Sequence, residues 1–179
     1  DDASTGTTSG PTPGVNSQPP ACAQTPAPQK VAGTCEASIE APPLVSVIHV
    51  PEGSAISYCS NPPSSGPHYP VWAAYKEYTT PIDSPALAPY LVHSLEHGGV
   101  AILYKCDPQG CADVVDALRK VRDAVTTDPG CTADVRVRVI LAPSTTITTK
   151  VAAAAWGATY QAPCVDAASL GAFIKDHYA

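Results

Sequence analysis

The sequence of 179 residues lacks methionine and has few basic residues. Its 10 lysines and arginines stand against 16 acidic residues, so the net charge is −6. Binding to nucleic acid relies on clustered lysine and arginine contacts with phosphate, so nucleic acid is not expected as a partner. The chain also lacks an apolar run of about 18 residues, and it is therefore not predicted to contain a transmembrane helix.

Seven cysteines in a chain of this length indicate an oxidising compartment outside the cytosol. We therefore expect a protein exported to the periplasm, the cell surface or the medium. Residues 1–34 are rich in Pro, Ser and Thr without periodicity, which predicts a disordered tether. Such a tether is typical of a spacer behind a lipidated cysteine, so a lipid anchor ahead of Asp1 is a hypothesis. Residues 35–179 are long enough for one domain with its own core.

Cysteine spacing favours three disulfides but does not fix them. The favoured pairs are Cys22 with Cys35, Cys106 with Cys111, and Cys131 with Cys164. This arrangement leaves Cys59 single, and other pairings stay open because connectivity does not follow from sequence.

Hydrophobic periodicity predicts a mixed domain. The predicted strands are residues 44–50, 55–59, 100–105, 135–141 and 151–156, the last of which also fits a helix because of its alanine run. Helices are predicted at 112–126 and after a capping Asp166. This order predicts an α+β fold, a ferredoxin-like sandwich with a mainly antiparallel sheet, helices on one face and disulfide bracing.

The stretch around His93 and His97 is the centre of the functional prediction. Pro89 near the start and Gly98 at the end favour a helix, on which positions four apart lie on one face with Cβ atoms about 5–6 Å apart. Such a pair can share one metal ion. In a strand the same two residues would lie about 13 Å apart, and no single ion could bind both.

His49 and His68 are two further candidates, the second on a loop stiffened by four prolines. Any one of these histidines, considered alone, is better explained as an ordinary hydrogen-bonded residue. Residues 93–97 also fit the H-x-x-E-H pattern of inverted zinc proteases. That class needs a distant Glu ligand, and no glutamate follows Glu96, so Glu96 is interpreted as a residue that orients a histidine or lies on the helix surface.

Three stretches form an ordered set of motifs: HVPEG (49–53), NPPSSGPHY (61–69) and LVHSLEHGGV (91–100), accompanied by Tyr58, Trp72 and the later AWG (155–157). With these motifs the chain resembles the bacterial, uncharacterised DUF3105 family. The resemblance implies an exported or membrane-tethered protein in which the four histidines belong to one pattern. It implies no particular activity. Cys59 and the cysteines from 106 onward depart from the pattern and look like additions of this chain.

These observations predict a transition-metal site. The expected ligands are His49, His68, His93 and His97, and the residues expected to support them are Glu96, Tyr58 and Tyr104. Copper is expected first, because imidazoles bind Cu(II) most tightly among first-row divalent ions, and zinc second. The absence of methionine counts against a thioether Cu(I) carrier. Two alternatives are a metal-dependent oxidase or hydrolase using an open position at this site, and a structural or adhesive module without metal.

Overall fold

A computed structural model of the chain describes residue 22 and residues 25–107, 110–132 and 134–179. The regular elements of these residues are, in order, β1 (Gln29–Val31), β2 (Ala37–Glu40), α1 (Ala88–Glu96), β3 (Val100–Tyr104), α2 (Ala112–Ala124), β4 (Val139–Pro143), β5 (Val151–Ala155), β6 (Ala158–Ala162) and α3 (Ala167–His177). The predicted tether lies mostly outside the described residues, but β1 falls within it and pairs with β2, so the sheet extends into that segment.

The strands form one six-stranded sheet in the order β1-β2-β6-β5-β3-β4. The β3–β4 pair is parallel and connected through α2, whereas the other neighbouring strands are antiparallel. The predicted α+β class and the mainly antiparallel sheet are thus confirmed. The ferredoxin-like detail is not confirmed, because that fold separates the parallel strands of its βαβ unit, and here β3 and β4 are direct neighbours.

Helices cover both faces of the sheet, which corrects the prediction that they lie on one face. Successive side chains of a strand point to opposite faces. On β3, Ile102 faces the core formed with Leu118 of α2 and Phe173 of α3. Leu103 faces the core formed with Leu95 of α1. We call these the α2–α3 face and the α1 face.

The predicted helices and the strands predicted at 100–105 and 151–156 agree with the structure, whereas the other predicted strands do not or do so only in part. Residues 44–50 and 55–59 form no strand, and the predicted strand at 135–141 begins only at Val139. In the first of these segments Leu44, Val47 and Ile48 are all more than half exposed, so their apolar pattern does not mark a buried face. The alanine-rich β5 is a strand, buried along its whole length.

The disulfides correct two of the three expected pairs. Cys106 pairs with Cys111 as predicted, but the other two bonds join Cys22 to Cys59 and Cys35 to Cys164. The second follows from the sheet, because β2 and β6 are antiparallel and continuing their register places Cys35 opposite Cys164. Among the described residues Cys131 is the free cysteine.

Three disulfides in one domain indicate an oxidising, non-cytoplasmic environment. None of the helices in the described part of the chain has the length and apolar character needed to cross a bilayer, and the longest, α2, has 13 residues.

Candidate metal centre

Helix α1 carries His93 and Glu96 and ends at the C-cap residue His97, and backbone hydrogen bonds fix this end. Gly98 has φ +77°. The N–H of Gly98 donates to the Leu95 carbonyl (2.9 Å) and that of Gly99 to the Ser94 carbonyl (3.1 Å), a Schellman motif. A side chain at Gly99 would meet the Tyr75 ring at 2.5 Å, so both glycines are required. The predicted helix is confirmed.

The loop that carries His68 is attached to the segment that carries His49 by a short parallel bridge. The N–H of His68 donates to the Ile48 carbonyl (3.2 Å), and the N–H of Val50 donates to the His68 carbonyl (2.8 Å). This pairing brings together two histidines that are 19 positions apart in the sequence. The loop is also supported by Tyr58, whose hydroxyl donates to the Pro67 carbonyl (3.0 Å).

Three imidazole rings meet at the α1 face. Their centres form a nearly equilateral triangle, with 5.0 Å between His49 and His68, 4.9 Å between His49 and His93, and 5.0 Å between His68 and His93. His68 is fully buried, His93 is 3 % exposed, and His49 lies at the surface. The cluster is thus shielded from solvent at His68 and His93 and reaches the solvent at His49.

Two of the rings are oriented by backbone carbonyls. Nδ1 of His68 lies 2.8 Å from the Gly66 carbonyl oxygen, and Nδ1 of His93 lies 2.6 Å from that of Tyr69. A carbonyl oxygen only accepts, so each Nδ1 carries the proton and each Nε2 points inward with its lone pair available in the neutral ring. Metal-binding histidines in proteins are commonly oriented in this way.

Glu96 lies at the same point. Its Oε2 is 3.0 Å from Nε2 of His68. One possible metal-ligand atom from each of His49, His68, His93 and Glu96 lies within 4.8 Å of the others. A carboxylate oxygen and a ring nitrogen lone pair both accept, so a proton or a cation must lie between them. Glu96, expected from the sequence only to orient a ligand, is placed among the possible ligands.

His97 occupies a different position from the other three histidines. Its Nε2 lies 2.8 Å from Nε2 of His93, but it is exposed and outside the group of four. Since the proton of His93 is on Nδ1, the neutral pair requires His97 to donate to His93. The structure therefore brings all four predicted histidines together, with His97 in contact through His93.

Of the two tyrosines expected to support the site, Tyr58 lies at the loop of His68 and Tyr104 does not. Tyr104 points to the α2–α3 face, where burial beside Glu77 raises its pKa. Burial also raises the pKa of Tyr58, so its hydroxyl stays a neutral donor. Trp72, which belongs to the motifs of the family resemblance and was not predicted as a site residue, has its ring 5.6 Å from those of His93 and His97.

The donor set fits a first-row transition ion. At metal–ligand bonds of about 2.0–2.1 Å, ligand atoms on opposite sides of an ion lie about 4 Å apart. The observed spread of 4.8 Å therefore requires a small closure, and the exposed His49 has room to supply it. Burial lowers the pKa of His93, reinforced by the neighbouring histidines, which favours the neutral form that a metal needs.

Fold and site together define a disulfide-braced α+β domain with a half-buried cluster of histidines and one glutamate. The family model described as "Protein of unknown function (DUF3105)" matches residues 49–179, and the chain belongs to this family. The match begins at His49 and includes all the residues of the cluster. Searches of curated proteins and of solved structures found no match.

Proposed function

We propose that this protein is an exported transition-metal-binding protein that binds, stores or delivers an ion held by His49, His68, His93 and Glu96. The observation that carries the proposal is the orientation of His68 and His93. Their Nδ1 atoms are occupied by backbone carbonyls, so both Nε2 atoms are turned toward the cluster, where Nε2 of His68 lies 3.0 Å from the Glu96 carboxylate and Nε2 of His93 lies 2.8 Å from His97. The disulfides support the exported location.

Copper is the first choice of ion and zinc the second. Three imidazoles and one carboxylate form a nitrogen-rich set that binds Cu(II) more tightly than the other first-row divalent ions. The same set also suits Zn²⁺, which accepts histidine and glutamate in a four-coordinate geometry. The proposal therefore names Cu(II), with Zn²⁺ as the ion that competes for the same atoms.

His97 couples to the ion through His93. The inward nitrogen of His93 has one lone pair, which can accept from His97 or bind an ion but cannot do both. Metal binding therefore ends the hydrogen bond between the two rings and leaves His97 as a further ligand or as a free side chain.

The test is metal analysis of untagged protein loaded separately with Cu(II) and Zn²⁺ and then dialysed. We expect about one ion per chain, and a loss of at least tenfold in metal content for His68→Ala and His93→Ala. His177→Ala is the matched control, because His177 packs against Phe173 on the α2–α3 face and should retain the ion. Glu96→Gln is compared with Glu36→Gln, which changes an exposed residue.

The spectrum of the copper-loaded protein identifies the ligands. Nitrogen hyperfine splitting in electron paramagnetic resonance should indicate several imidazoles. A folded protein that takes up neither ion overturns the proposal and leaves the structural or adhesive module as its function. Equal metal loss in His177→Ala would also overturn it, because binding would then be unspecific.

A metal-dependent oxidase or hydrolase is the second candidate. It is favoured by a cavity that adjoins the cluster and includes His97 in its wall. Turnover would need an open coordination position facing this cavity.

A further inference from the structure

We propose that the cavity beside His97 binds a small aromatic carboxylate and holds it next to the metal ion. This cavity, which we call the Trp72 cavity, has a volume of about 530 Å³, and its walls include Trp72, Tyr75, His97, Cys131, Val135 and Arg138. Cavities of about 300–1,000 Å³ are usual for small-molecule sites. The part of the inference that concerns the ion rests on the proposed function, whereas binding of the carboxylate does not.

The Trp72 cavity and the metal cluster share two side chains. Trp72 and His97 line the cavity, and the ring of each lies against His93, at 5.6 Å and 4.8 Å between centres. A molecule in the cavity is therefore separated from a proposed ligand of the ion by one ring. A larger cavity of about 570 Å³ near the ends of α2 and α3 has no histidine of the cluster in its wall.

The walls favour an aromatic ring. Trp72 is 55 % exposed although it is the largest apolar side chain type, and Tyr75 stands beside it in the wall. A planar ring placed against the indole would remove apolar surface from water and gain ring-to-ring contact. The Tyr75 hydroxyl donates to the Ser94 carbonyl (2.9 Å), so this residue offers its ring rather than its polar end.

The polar part of the wall favours a carboxylate. Among the lining residues Arg138 is the one with a permanent charge, and none is a carboxylate. Its guanidinium donates to Asp128 (2.9 Å) and to the carbonyls of His97 and Ala179, which leaves two of its five N–H groups. One of the two lies on each terminal nitrogen, and a carboxylate in the cavity that accepted from both would be bound in a fork.

Cys131 does not repel a bound anion. Desolvation raises the pKa of its thiol, with a further contribution from Asp128, so the side chain is uncharged at neutral pH. The Trp72 cavity thus combines an apolar aromatic wall, the Arg138 guanidinium and no carboxylate among its lining residues, since Asp128 pairs with Arg138 from outside that wall, and it suits an aromatic carboxylate better than an amine or a sugar.

The test uses benzoate as the probe and the fluorescence of Trp72 as the readout. The chain has two tryptophans, so Trp156→Phe leaves Trp72 as the reporter. We expect saturable quenching by benzoate, at least tenfold weaker binding of the neutral isostere benzyl alcohol, and weaker binding of the non-aromatic cyclohexanecarboxylate. No saturable change, or equal binding of benzoate and benzyl alcohol, overturns the inference.

Cavity-filling variants locate the probe. Val135→Phe should weaken benzoate binding at least tenfold, and Thr132→Phe, which changes an exposed residue of the same wall, should do so if Val135→Phe does not fold. Val114→Phe is the matched control, because Val114 is a half-buried valine that lines a cavity at α2. Equal effects of the filling variants and the control overturn the inference.

Coupling to the ion is measured by repeating the titration with Zn²⁺-loaded protein. If the carboxylate lies beside the ion, loading should change benzoate affinity at least threefold, and benzoate should change Zn²⁺ affinity by the same factor. Zinc binding without coupling overturns the placement beside the ion. Benzoate binding that Val135→Phe abolishes, in a protein that takes up no ion, would support the Trp72 cavity while the proposed function fails.

Discussion

The two faces of the sheet bury side chains of different chemistry. The α2–α3 face is covered by two helices of 13 and 11 residues, whose buried positions are almost all apolar. The α1 face is covered by one helix of 9 residues and by irregular loops, and it buries His68, His93 and Ser94 with their hydrogen bonds satisfied. A regular helix satisfies its own backbone, whereas the loop carbonyls remain free to orient imidazoles.

The comparison suggests a division of roles. The α2–α3 face holds the larger set of buried apolar residues and so contributes more to the driving force for folding, whereas the α1 face combines a smaller apolar core with buried polar groups that contribute less to stability. Substitutions on the first face should therefore change the free energy of unfolding, and substitutions on the second should change metal binding.

The largest expected effect on stability is that of Leu118→Ala. Leu118 is fully buried on the α2–α3 face, so its truncation should lower the free energy of unfolding by about 2–5 kcal/mol. Urea denaturation measures the change, and Leu87→Ala, at a position 41 % exposed, is the control. The folded fraction of Leu118→Ala should retain its metal content. Loss of metal from that fraction would contradict the division between the faces.

Tyr58→Phe should mainly affect the metal. It removes the donor to the Pro67 carbonyl and loosens the loop of His68, so metal affinity should fall about tenfold, as for residues that orient ligands. Stability should fall by no more than about 1 kcal/mol. Competition with a chelator gives the affinity. The matched control Tyr104→Phe lies on the other face and should leave it unchanged, so an equal fall in both would argue against the comparison.

Asp166→Ala tests how much the N-terminal cap of α3 contributes to stability on the α2–α3 face. The Asp166 side chain accepts from the N–H groups of Ala168 and Ser169 at the start of α3 and also from Thr34. Removal of such a cap costs about 0.5–2 kcal/mol, and thermal or urea unfolding should show this fall. Asp176→Ala, in the last turn of the same helix, should not lower stability. Metal affinity should be unaffected in both variants.

The smallest effect is expected for Asp128→Asn and depends on pH. A hydrogen bond from Tyr178, together with Gly130 and Arg138, lowers the pKa of Asp128 from 3.8 to about 2. A carboxyl whose pKa is depressed by folding stabilises the fold above its ordinary pKa, and this contribution is lost as pH falls through the folded value. The wild-type protein should therefore exceed the variant in stability above pH 4, and the two should converge near pH 2. A constant difference from pH 5 to pH 2 would contradict this.

The sequence predicted the elements whose periodicity is strong and local. Helix α2 has an apolar face, α3 has its Asp166 cap, and α1 lies between Pro89 and a glycine with positive φ, so each was recognisable from its own residues. Strands β1, β2 and β6 were missed, because their short sequences carry weaker apolar patterns than the equally short β3 and β5. Their pairing with one another stabilises them, and local propensity does not report such pairing.

For the candidate site, the sequence by itself determined which residue types were present and that His93 and His97 share a helix face, since helical spacing follows from local geometry. Only the tertiary structure decided that Glu96 joins the candidate ligand atoms while His97 contacts them through His93, because consecutive residues at the end of a helix point in different directions. The meeting of His49 with His68, and of Cys35 with Cys164, likewise required pairing between distant backbone segments. Contacts between residues far apart in the chain depend on how all the elements pack, and no local pattern records them.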